Sequence, residues 1–173
     1  IDKRSSIISS TGFTSREIMY IRKKYNLING RDFYMVGGMG HTASVASAYS
    51  IYKKENTICL DGDGSLLMHL GSIKTAADIS NSNFKYILLN NNCHESVGSQ
   101  TTNANKVNFK NLSIGIGFKN YSIIKNNRTL KKDLNNFLKK KGPSFLEVKV
   151  GESISGKLPR PKNLKIIKAN FIK

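Results

Sequence analysis

Short runs of apolar, mainly β-branched and aromatic residues alternate along the chain with segments in which apolar residues recur every three or four positions. The short runs predict strands at 5–9, 32–36, 57–61, 84–90, 121–125 and 144–150. The longer segments predict helices at 14–25, 42–54, 66–79 and 128–140, and a short helix at 112–118. This alternation predicts an α/β fold, a three-layer α/β/α arrangement with a mostly parallel sheet of about six strands.

The first predicted helix begins with a capping motif. The end of the chain has no pattern that predicts a helix or a strand. Thr14 is a predicted N-cap, and Glu17 three residues later completes a capping box. Residues 1–150 hold all the predicted elements and form one predicted domain of ordinary size. Residues 151–173 form a basic C-terminal extension with Pro159 and Pro161, and we predict no helix or strand there.

Four glycine-rich or polar loops follow predicted strands. They are "STGFTS" (10–15), "VGGMGH" (36–41), "DGDGS" (61–65) and "NNNCHES" (90–96). Parallel α/β sheets bind ligands at the carboxyl ends of their strands, so these loops should meet at one edge. Glycines let the backbone approach a ligand, and backbone N–H groups at a helix start favour anions.

The "DGDGS" loop has three interpretations on its residues alone. It can be a tight turn, because Asp-Gly pairs are common in turns. It can place a carboxylate on Mg²⁺, which usually brings phosphate with it. It also resembles the first motif of haloacid-dehalogenase-type phosphatases, with Asp61 as nucleophile and Asp63 as acid–base. That chemistry needs further acids at later strand ends, and the sequence has no acidic pair there.

Asn91 follows Asp63 after one predicted helix and one predicted strand. Loops after adjacent parallel strands can close on the same ion. A carboxylate, an Asn amide oxygen and a backbone carbonyl are ligands that Mg²⁺ accepts.

The Gly62-Asp63-Gly64 and Asn90-Asn91 elements at this spacing resemble the thiamine-diphosphate-binding signature of the 2-oxo acid decarboxylase and acetolactate synthase superfamily. Within it, the details are similar to the phosphonopyruvate and sulfopyruvate decarboxylase families. The similar stretches are "STGFTSRE", "VGGMGHTASVA", "LDGDGSLLMHLGS" and "LNNNCHESVGSQ". One departure is Asn92-Cys93, where small residues are expected.

The resemblance implies thiamine diphosphate and Mg²⁺ as cofactors. Asp63, the Asn91 side chain and the Cys93 carbonyl would hold the metal. Gly37 would accept the cofactor's amino group through its carbonyl, and Met39 would be an apolar wedge beneath the cofactor. The implied cofactor-binding residues are Thr11, Gly12, Gly37, Gly38, Met39, Gly40, His41, Gly62, Asp63, Gly64, Ser65 and Asn91.

Two of the three histidines differ in their expected roles. His94 and Glu95 follow the predicted metal loop and are the predicted catalytic residues, able to contact a substrate carboxylate or carry a proton. An exposed loop histidine is the alternative for His94. His69 falls inside a predicted helix, and we expect a packed or surface side chain.

The resemblance also implies that this chain is one half of an active site. Enzymes of the superfamily activate the cofactor with a glutamate on a pyrimidine-binding domain, which nothing in this sequence resembles. We therefore expect a β-type subunit or the carboxyl-terminal piece of a longer polypeptide, and its Ile start fits either. The expected partner is a pyrimidine-binding, α-type subunit or an N-terminal domain, within a homo- or hetero-oligomer.

The expected reaction is decarboxylation of a small anionic 2-oxo acid. We favour 3-phosphonopyruvate, giving phosphonoacetaldehyde and CO₂, with sulfopyruvate or another 2-oxo acid as the alternative. Ser96, Ser99 and Gln100 are candidate donors to the terminal anionic group of the substrate.

The net charge of +17, from 28 Lys and Arg against 11 Asp and Glu, raises a basic nucleic-acid-binding module as a different function. Its basic residues lie in short scattered clusters, so we expect no nucleic-acid partner. No apolar run reaches the roughly 18 residues of a membrane span, and we expect no membrane partner. The first residues lack a signal peptide's apolar region, and two cysteines without a CxxC pair fit a cytoplasmic location.

Overall fold

The structure is a computed structural model that describes residues 4–27, 31–151 and 158–172. Part of the basic extension, 152–157, lies outside the described residues. The strands are β1 Ser6–Ser9, β2 Arg31–Tyr34, β3 Thr57–Gly62, β4 Phe84–Asn90, β5 Cys93–His94, β6 Gln100–Thr101, β7 Asn120–Ile124 and β8 Ser144–Lys149. The helices are α1 Phe13–Lys24, α2 Thr42–Ile51, α3 Asp63–Met68, α4 Gly71–Ile79, α5 Phe109–Gly115, α6 Leu130–Lys139 and α7 Leu164–Ile172.

A six-stranded sheet with the order β2-β1-β3-β4-β8-β7 forms the centre of the fold. All of its neighbouring strands are parallel. Each predicted strand overlaps one of these six strands, and the prediction for 84–90 coincides with β4. The predicted α/β fold with a parallel sheet is therefore confirmed.

Apolar side chains fill both faces of the sheet, because a parallel sheet must be covered on each side. One cluster joins Ile8 and Tyr86 of the sheet to Ala46 of α2, Ile73 of α4 and Phe109 of α5. The cluster on the other face joins Ile7, Ile58 and Leu146 to Ile18 of α1 and Phe137 of α6. These two clusters make the three-layer arrangement.

The strand order reverses between β1 and β3. The chain passes from β1 outward to β2 and then returns to place β3 on the other side of β1. Such a reversal opens a crevice at the carboxyl ends of the two central strands, which is where open α/β sheets bind ligands. The loop after β1, at 10–12, and the turn from β3 into α3 at Gly62 and Asp63 flank this crevice.

The predicted capping box at Thr14 is wrong. Helix α1 begins at Phe13 after Gly12, and no side chain caps it. Gly12 has a φ of 96°, in the left-handed region that glycine adopts readily. A Cβ at Gly12 would lie 2.9 Å from the Ser96 Oγ. A glycine turn that packs closely on Ser96 therefore precedes the helix, in place of a capping side chain.

The prediction of one helix over 66–79 is also wrong. The segment forms α3 and α4, separated at His69 and Leu70, where His69 leaves the helical region with a φ of −138°. Gly40 packs at this break, since a Cβ on it would lie 2.8 Å from the His69 Cβ. His69 lies outside the helices, and its ring centroid is 4.8 Å from that of His41.

Strands β5 and β6 and helix α7 were not predicted. Strands β5 and β6 form a short antiparallel hairpin. The expectation of no element in the basic extension is wrong, because Leu164–Ile172 forms α7. Phe171 anchors this helix on the core, with its ring centroid 5.2 Å from that of Phe33 and 4.4 Å from that of Tyr49. Within the described ranges, no helix has the length and apolar character needed to cross a bilayer.

A nearly buried ion pair fastens α1 to the edge strand β2. Asp32 is 7% exposed. The Arg22 guanidinium donates to both of its carboxylate oxygens, with Nε at 2.6 Å and Nη2 at 2.9 Å. The Tyr34 hydroxyl donates to Asp32 at 3.0 Å. Two parallel hydrogen bonds from one guanidinium fix the relative position of helix and strand.

Removal of this guanidinium should destabilise the fold. We expect Arg22→Ala to lower the free energy of unfolding by about 1.5–3 kcal/mol, because a buried carboxylate loses its charged donor. Lys23→Ala, on the exposed surface of the same helix, is the control and should change it little. Urea denaturation of both variants measures the difference, and equal effects would contradict a structural role for the pair.

Candidate functional site

A cavity of about 510 Å³ lies at the carboxyl ends of the central strands. This volume is within the range of small-molecule and cofactor sites. Ten residues predicted from the sequence line it: Thr11, Met39, Gly62, Asp63, Gly64, Ser65, Asn91, Cys93, His94 and Glu95. All four loops that were expected to meet therefore contribute to the cavity, together with α1 and residues after β8.

The other five residues predicted to bind the cofactor do not line the cavity, although two of them link its loops. They are Gly12, Gly37, Gly38, Gly40 and His41. The Gly37 N–H donates to the Thr11 hydroxyl at 3.3 Å, which links the loops after β1 and β2. The Gly40 N–H donates to the Ser65 Oγ at 3.0 Å, which links the loops after β2 and β3.

Asp61 is a buried anchor beneath the cavity. It is 1% exposed, accepts from the Gly62 N–H at 3.0 Å, and accepts from the Tyr86 hydroxyl at 2.8 Å. Burial raises the pKa of this carboxyl, while hydrogen bonds from Ser65, Tyr86, Gly62 and Ser10 oppose the shift. Asp61 does not line the cavity, so it lacks the access that a phosphatase nucleophile needs.

Asp63 points to the cavity from the start of α3. It is 2% exposed, and its Oδ2 accepts a hydrogen bond from the Thr102 hydroxyl at 2.5 Å. Across the cavity, the Asn91 Oδ1 accepts from the Cys93 N–H at 3.2 Å, and its Nδ2 donates to Glu95 at 3.1 Å. A carboxylate, an amide oxygen with a second lone pair and Cys93, whose carbonyl the resemblance assigns to the metal, thus line one space.

This donor set fits a hard cation better than a soft one. In the part of the chain that the structure describes, no group of three or more His, Cys, Asp and Glu side chains could hold a metal. A cation at this cavity would therefore depend on the amide and carbonyl oxygens beside Asp63, which are ligands of Mg²⁺ and Ca²⁺.

The two residues of the Asn90-Asn91 pair have different structural roles. Asn90 is buried and points away from the cavity, where its Nδ2 donates to the Glu147 Oε1 at 2.8 Å. Its Oδ1 accepts from the Asn92 N–H at 3.2 Å, which shapes the loop. Asn90 is an anchor for the loop, and Asn91 faces the cavity.

Glu147 is a supporting residue that was not predicted from the sequence. Its Oε2 accepts from the Tyr121 hydroxyl at 2.6 Å, and Lys149 lies 2.6 Å from its Oε1. Burial acts to raise the pKa of Glu147, but hydrogen bonds from Lys149, Tyr121 and Asn90 outweigh it and lower the pKa. The sequence feature that indicates such a residue is an acid within the apolar strand "SFLEVKV", because a buried charge requires hydrogen-bond partners.

His94 packs directly on Gly64. A Cβ at Gly64 would lie 2.4 Å from the His94 Nδ1, so only glycine leaves room for the ring. The His94 Nδ1 is buried and has no hydrogen-bond partner among the described residues. This buried nitrogen lies against the Gly64 turn, while the residue as a whole lines the cavity.

The candidate substrate donors separate into two groups. Ser96 lines the cavity, in the 3₁₀ turn Glu95–Val97. Ser99 and Gln100 are exposed and do not line it. The hairpin of β5 and β6 turns these two residues away, so their proposed contact with substrate is not supported by the geometry.

A parallel sheet with a cavity at its switch point, lined by glycine turns and oxygen donors, defines an α/β domain that binds a ligand at its strand ends. The family model "Thiamine pyrophosphate enzyme, C-terminal TPP binding domain" matches residues 9–148. The chain belongs to this family, as its resemblance implied. Thiamine pyrophosphate is the cofactor also called thiamine diphosphate.

Two kinds of decarboxylase are among the relatives. Sulfopyruvate decarboxylase subunit beta of Methanothermobacter thermautotrophicus is 38% identical over 112 residues, 65% of this chain and 58% of that protein. Phosphonopyruvate decarboxylase of Streptomyces hygroscopicus is 30% identical over 158 residues, 91% of this chain and 38% of that protein. The chain therefore spans less than two thirds of the length of either relative.

A solved structure shares the fold. The 2-oxoglutarate:ferredoxin oxidoreductase from Magnetococcus marinus, determined with 2-oxoglutarate, coenzyme A and succinyl-CoA bound, has a TM-score of 0.64. The match covers 87% of this chain and 56% of that chain, at 14% sequence identity. At this identity the likeness supports the architecture only.

The contact between His94 and Gly64 can be tested by a double-mutant cycle. Gly64→Ala should lower the free energy of unfolding by about 1–3 kcal/mol, because its methyl group overlaps the ring. The loss should be smaller in a His94→Ala background, where the ring is absent. Thermal unfolding measures both. Gly62→Ala is the control, since its Cβ meets nothing within 4 Å. An equal loss in both backgrounds would show that the ring does not pack there.

Proposed function

We propose that the chain is the diphosphate-binding half of a thiamine-diphosphate- and Mg²⁺-dependent decarboxylase, with 3-phosphonopyruvate as substrate. The observation that carries the proposal is the convergence of Asp63, Asn91 and Cys93 on one cavity, in a chain of the thiamine pyrophosphate enzyme family. When bound, thiamine diphosphate supplies the electron sink for loss of CO₂ from a 2-oxo acid. The products would be CO₂ and phosphonoacetaldehyde.

The chain's own residues would hold the cofactor and the metal. Asp63, the Asn91 amide oxygen and the Cys93 carbonyl are the oxygen donors for Mg²⁺. Met39 lines the cavity and gives apolar support to a bound cofactor. Phe13 and Leu89 line the same cavity and exclude water from part of its wall, which strengthens electrostatic contacts within it.

His94 and Glu95 are the proposed proton-handling residues. Both line the cavity beside the donors for Mg²⁺. Glu95 accepts from the Asn91 Nδ2, so its carboxylate is held next to the proposed metal loop. Because the His94 side chain lines the cavity, its imidazole can accept a proton from a substrate group or donate one to it.

The active site would be completed by a pyrimidine-binding partner, either a subunit or an N-terminal domain. Several apolar side chains of α1 and the residues after it are exposed: Tyr20 at 40%, Ile21 at 44%, Tyr25 at 62% and Leu27 at 47%. Tyr20 and Ile21 also line the cavity. An exposed apolar patch that continues into a ligand cavity is a surface that a partner can cover. The named "subunit beta" relatives support a second subunit.

The choice of phosphonopyruvate rests on local resemblance and charge. Relatives of both substrate classes match this chain at similar identity. The stretch 94–100, "HESVGSQ", is similar to phosphonopyruvate decarboxylases, and Ser96 offers a hydroxyl donor inside the cavity. The net charge of +17 raises the local concentration of either anionic acid. We also place the enzyme in the cytoplasm, since Cys59 and Cys93 form no disulfide in the described part of the chain.

Asp63→Ala tests the cofactor site. With the pyrimidine-binding half present, we expect this change to weaken Mg²⁺-dependent thiamine diphosphate binding by at least about 100-fold, or about 2.8 kcal/mol. Isothermal titration calorimetry measures the affinity. Asp78→Ala is the control, because Asp78 is a half-exposed acid paired with Lys74 on α4. Unchanged cofactor affinity in Asp63→Ala would overturn the proposal.

A comparison of kcat/KM for phosphonopyruvate and sulfopyruvate tests the substrate. We expect a preference for phosphonopyruvate of about tenfold, or about 1.4 kcal/mol of transition-state stabilisation. Ser96→Ala should reduce kcat/KM for the preferred acid, whereas Ser99→Ala, outside the cavity, should not. Equal values for the two acids, or a preference for sulfopyruvate, would refute the assignment.

A further inference from the structure

Thr102 is a polar residue at the site, outside the predicted cofactor, metal and catalytic residues. It follows strand β6 directly and is half-buried. Its hydroxyl donates to the Asp63 Oδ2 at 2.5 Å, a short distance typical of O–H···O hydrogen bonds to a carboxylate. The Thr102 Oγ1 also accepts a hydrogen bond from the Ala104 N–H at 3.4 Å. A hydroxyl has one proton, so these contacts direct that proton to Asp63.

The hairpin of β5 and β6 carries Thr102 back to the proposed metal loop. Thr101 of β6 pairs with Cys93 of β5. The Thr102 N–H donates to the Asn92 carbonyl at 3.2 Å, and the Asn105 N–H donates to the Asn92 Oδ1 at 3.0 Å. The position of Thr102 is therefore set by the loop that holds Asn91 and Cys93.

The hydroxyl and the methyl group of Thr102 make different contacts, so their roles can be tested separately. Its Cγ2 would lie 3.1 Å from a Cβ placed on Gly64, so the methyl group packs on the glycine turn beside Asp63. Valine keeps the shape of this side chain and removes the hydroxyl. Serine keeps the hydroxyl and removes the methyl group.

We infer that Thr102 is a positioning residue, which orients the Asp63 carboxylate for a divalent cation and couples that orientation to the hairpin. Its hydrogen bond uses Oδ2 and leaves Oδ1 for the cation. Asp63 is 2% exposed, so water restrains its carboxylate little and the Thr102 hydroxyl fixes its rotation. Partners that orient metal ligands typically change metal affinity by about 10- to 100-fold when removed. The inference rests on the proposed function, in which Asp63 is a metal ligand.

The test compares Thr102→Val with Thr102→Ser in the assembled enzyme with thiamine diphosphate, using Mn²⁺ as the probe. Electron paramagnetic resonance measures free Mn²⁺ and gives its affinity. We expect Thr102→Val to bind Mn²⁺ about 10- to 100-fold more weakly and Thr102→Ser to stay close to the wild type. Thr101→Val, an exposed neighbour, is the matched control. In Thr102→Val, the Mg²⁺ concentration for half-maximal activity should rise while kcat at saturating Mg²⁺ stays close to the wild type.

The outcomes separate this inference from the proposed function. If the wild type binds Mn²⁺ and Thr102→Val binds it equally well, Thr102 does not position the ligand and only this inference fails. If Thr102→Ser loses as much affinity as Thr102→Val, the methyl packing is responsible and the inference fails as well. If wild-type cofactor binding needs no divalent cation, the metal site itself is wrong. Thermal unfolding of each variant identifies a loss that comes from misfolding.

Discussion

The buried carboxylate of Asp61 is the interaction on which the geometry of the cavity depends. It sits at the end of β3, 1% exposed, and accepts hydrogen bonds from the loop after β1, from its own loop and from Tyr86 of β4. Ser65 extends the network, since its Oγ accepts from the Gly40 N–H of the loop after β2. Loops that follow three strands are thus fastened to a single buried carboxyl group.

A second anchor holds the loop after β4. Glu147 of β8 accepts from Asn90, Tyr121 and Lys149, and Asn90 in turn accepts from the backbone of the loop it begins. Both anchors are acids inside the sheet that accept several hydrogen bonds. These bonds outweigh the effect of burial on the pKa of Glu147 and only oppose it at Asp61. At both anchors, one polar residue is buried and holds the loop, while a close neighbour in sequence faces the cavity. Asp61 and Asp63 divide in this way, as do Asn90 and Asn91.

The sheet and the cavity-lining loops were predictable because they depend on local pattern. Six apolar runs at α/β spacing predict six strands, and polar residues at their carboxyl ends must meet at one edge. The break between α3 and α4 was not predictable, because apolar spacing continues through 66–79 while the break depends on the approach of Gly40 from a distant loop. Helix α7 depends in the same way on a distant contact, the packing of Phe171 on Tyr49.

The residues that support the site were missed for a related reason. Thr102 and Glu147 lie far along the chain from Asp63 and Asn90, and their roles arise only from the pairing of strands. A motif read from the sequence identifies residues that face a ligand, since those types cluster in a loop. It does not identify the partners that orient them, because hydroxyls and single acids occur throughout any chain.

The cavity has two unlike sides, and this difference supports a site shared with another domain. Its polar side, with Asp63 and the loop after β4, is held by hydrogen bonds within this chain. Its α1 side presents Tyr20 and Ile21, both more than a third exposed, and the apolar surface continues to Tyr25. These polar groups are the ones proposed to hold the diphosphate and the cation. Apolar side chains at a rim gain free energy only when something covers them, at roughly 25 cal/mol per Å² buried, and a partner that closes this rim would also exclude water from the reacting atoms.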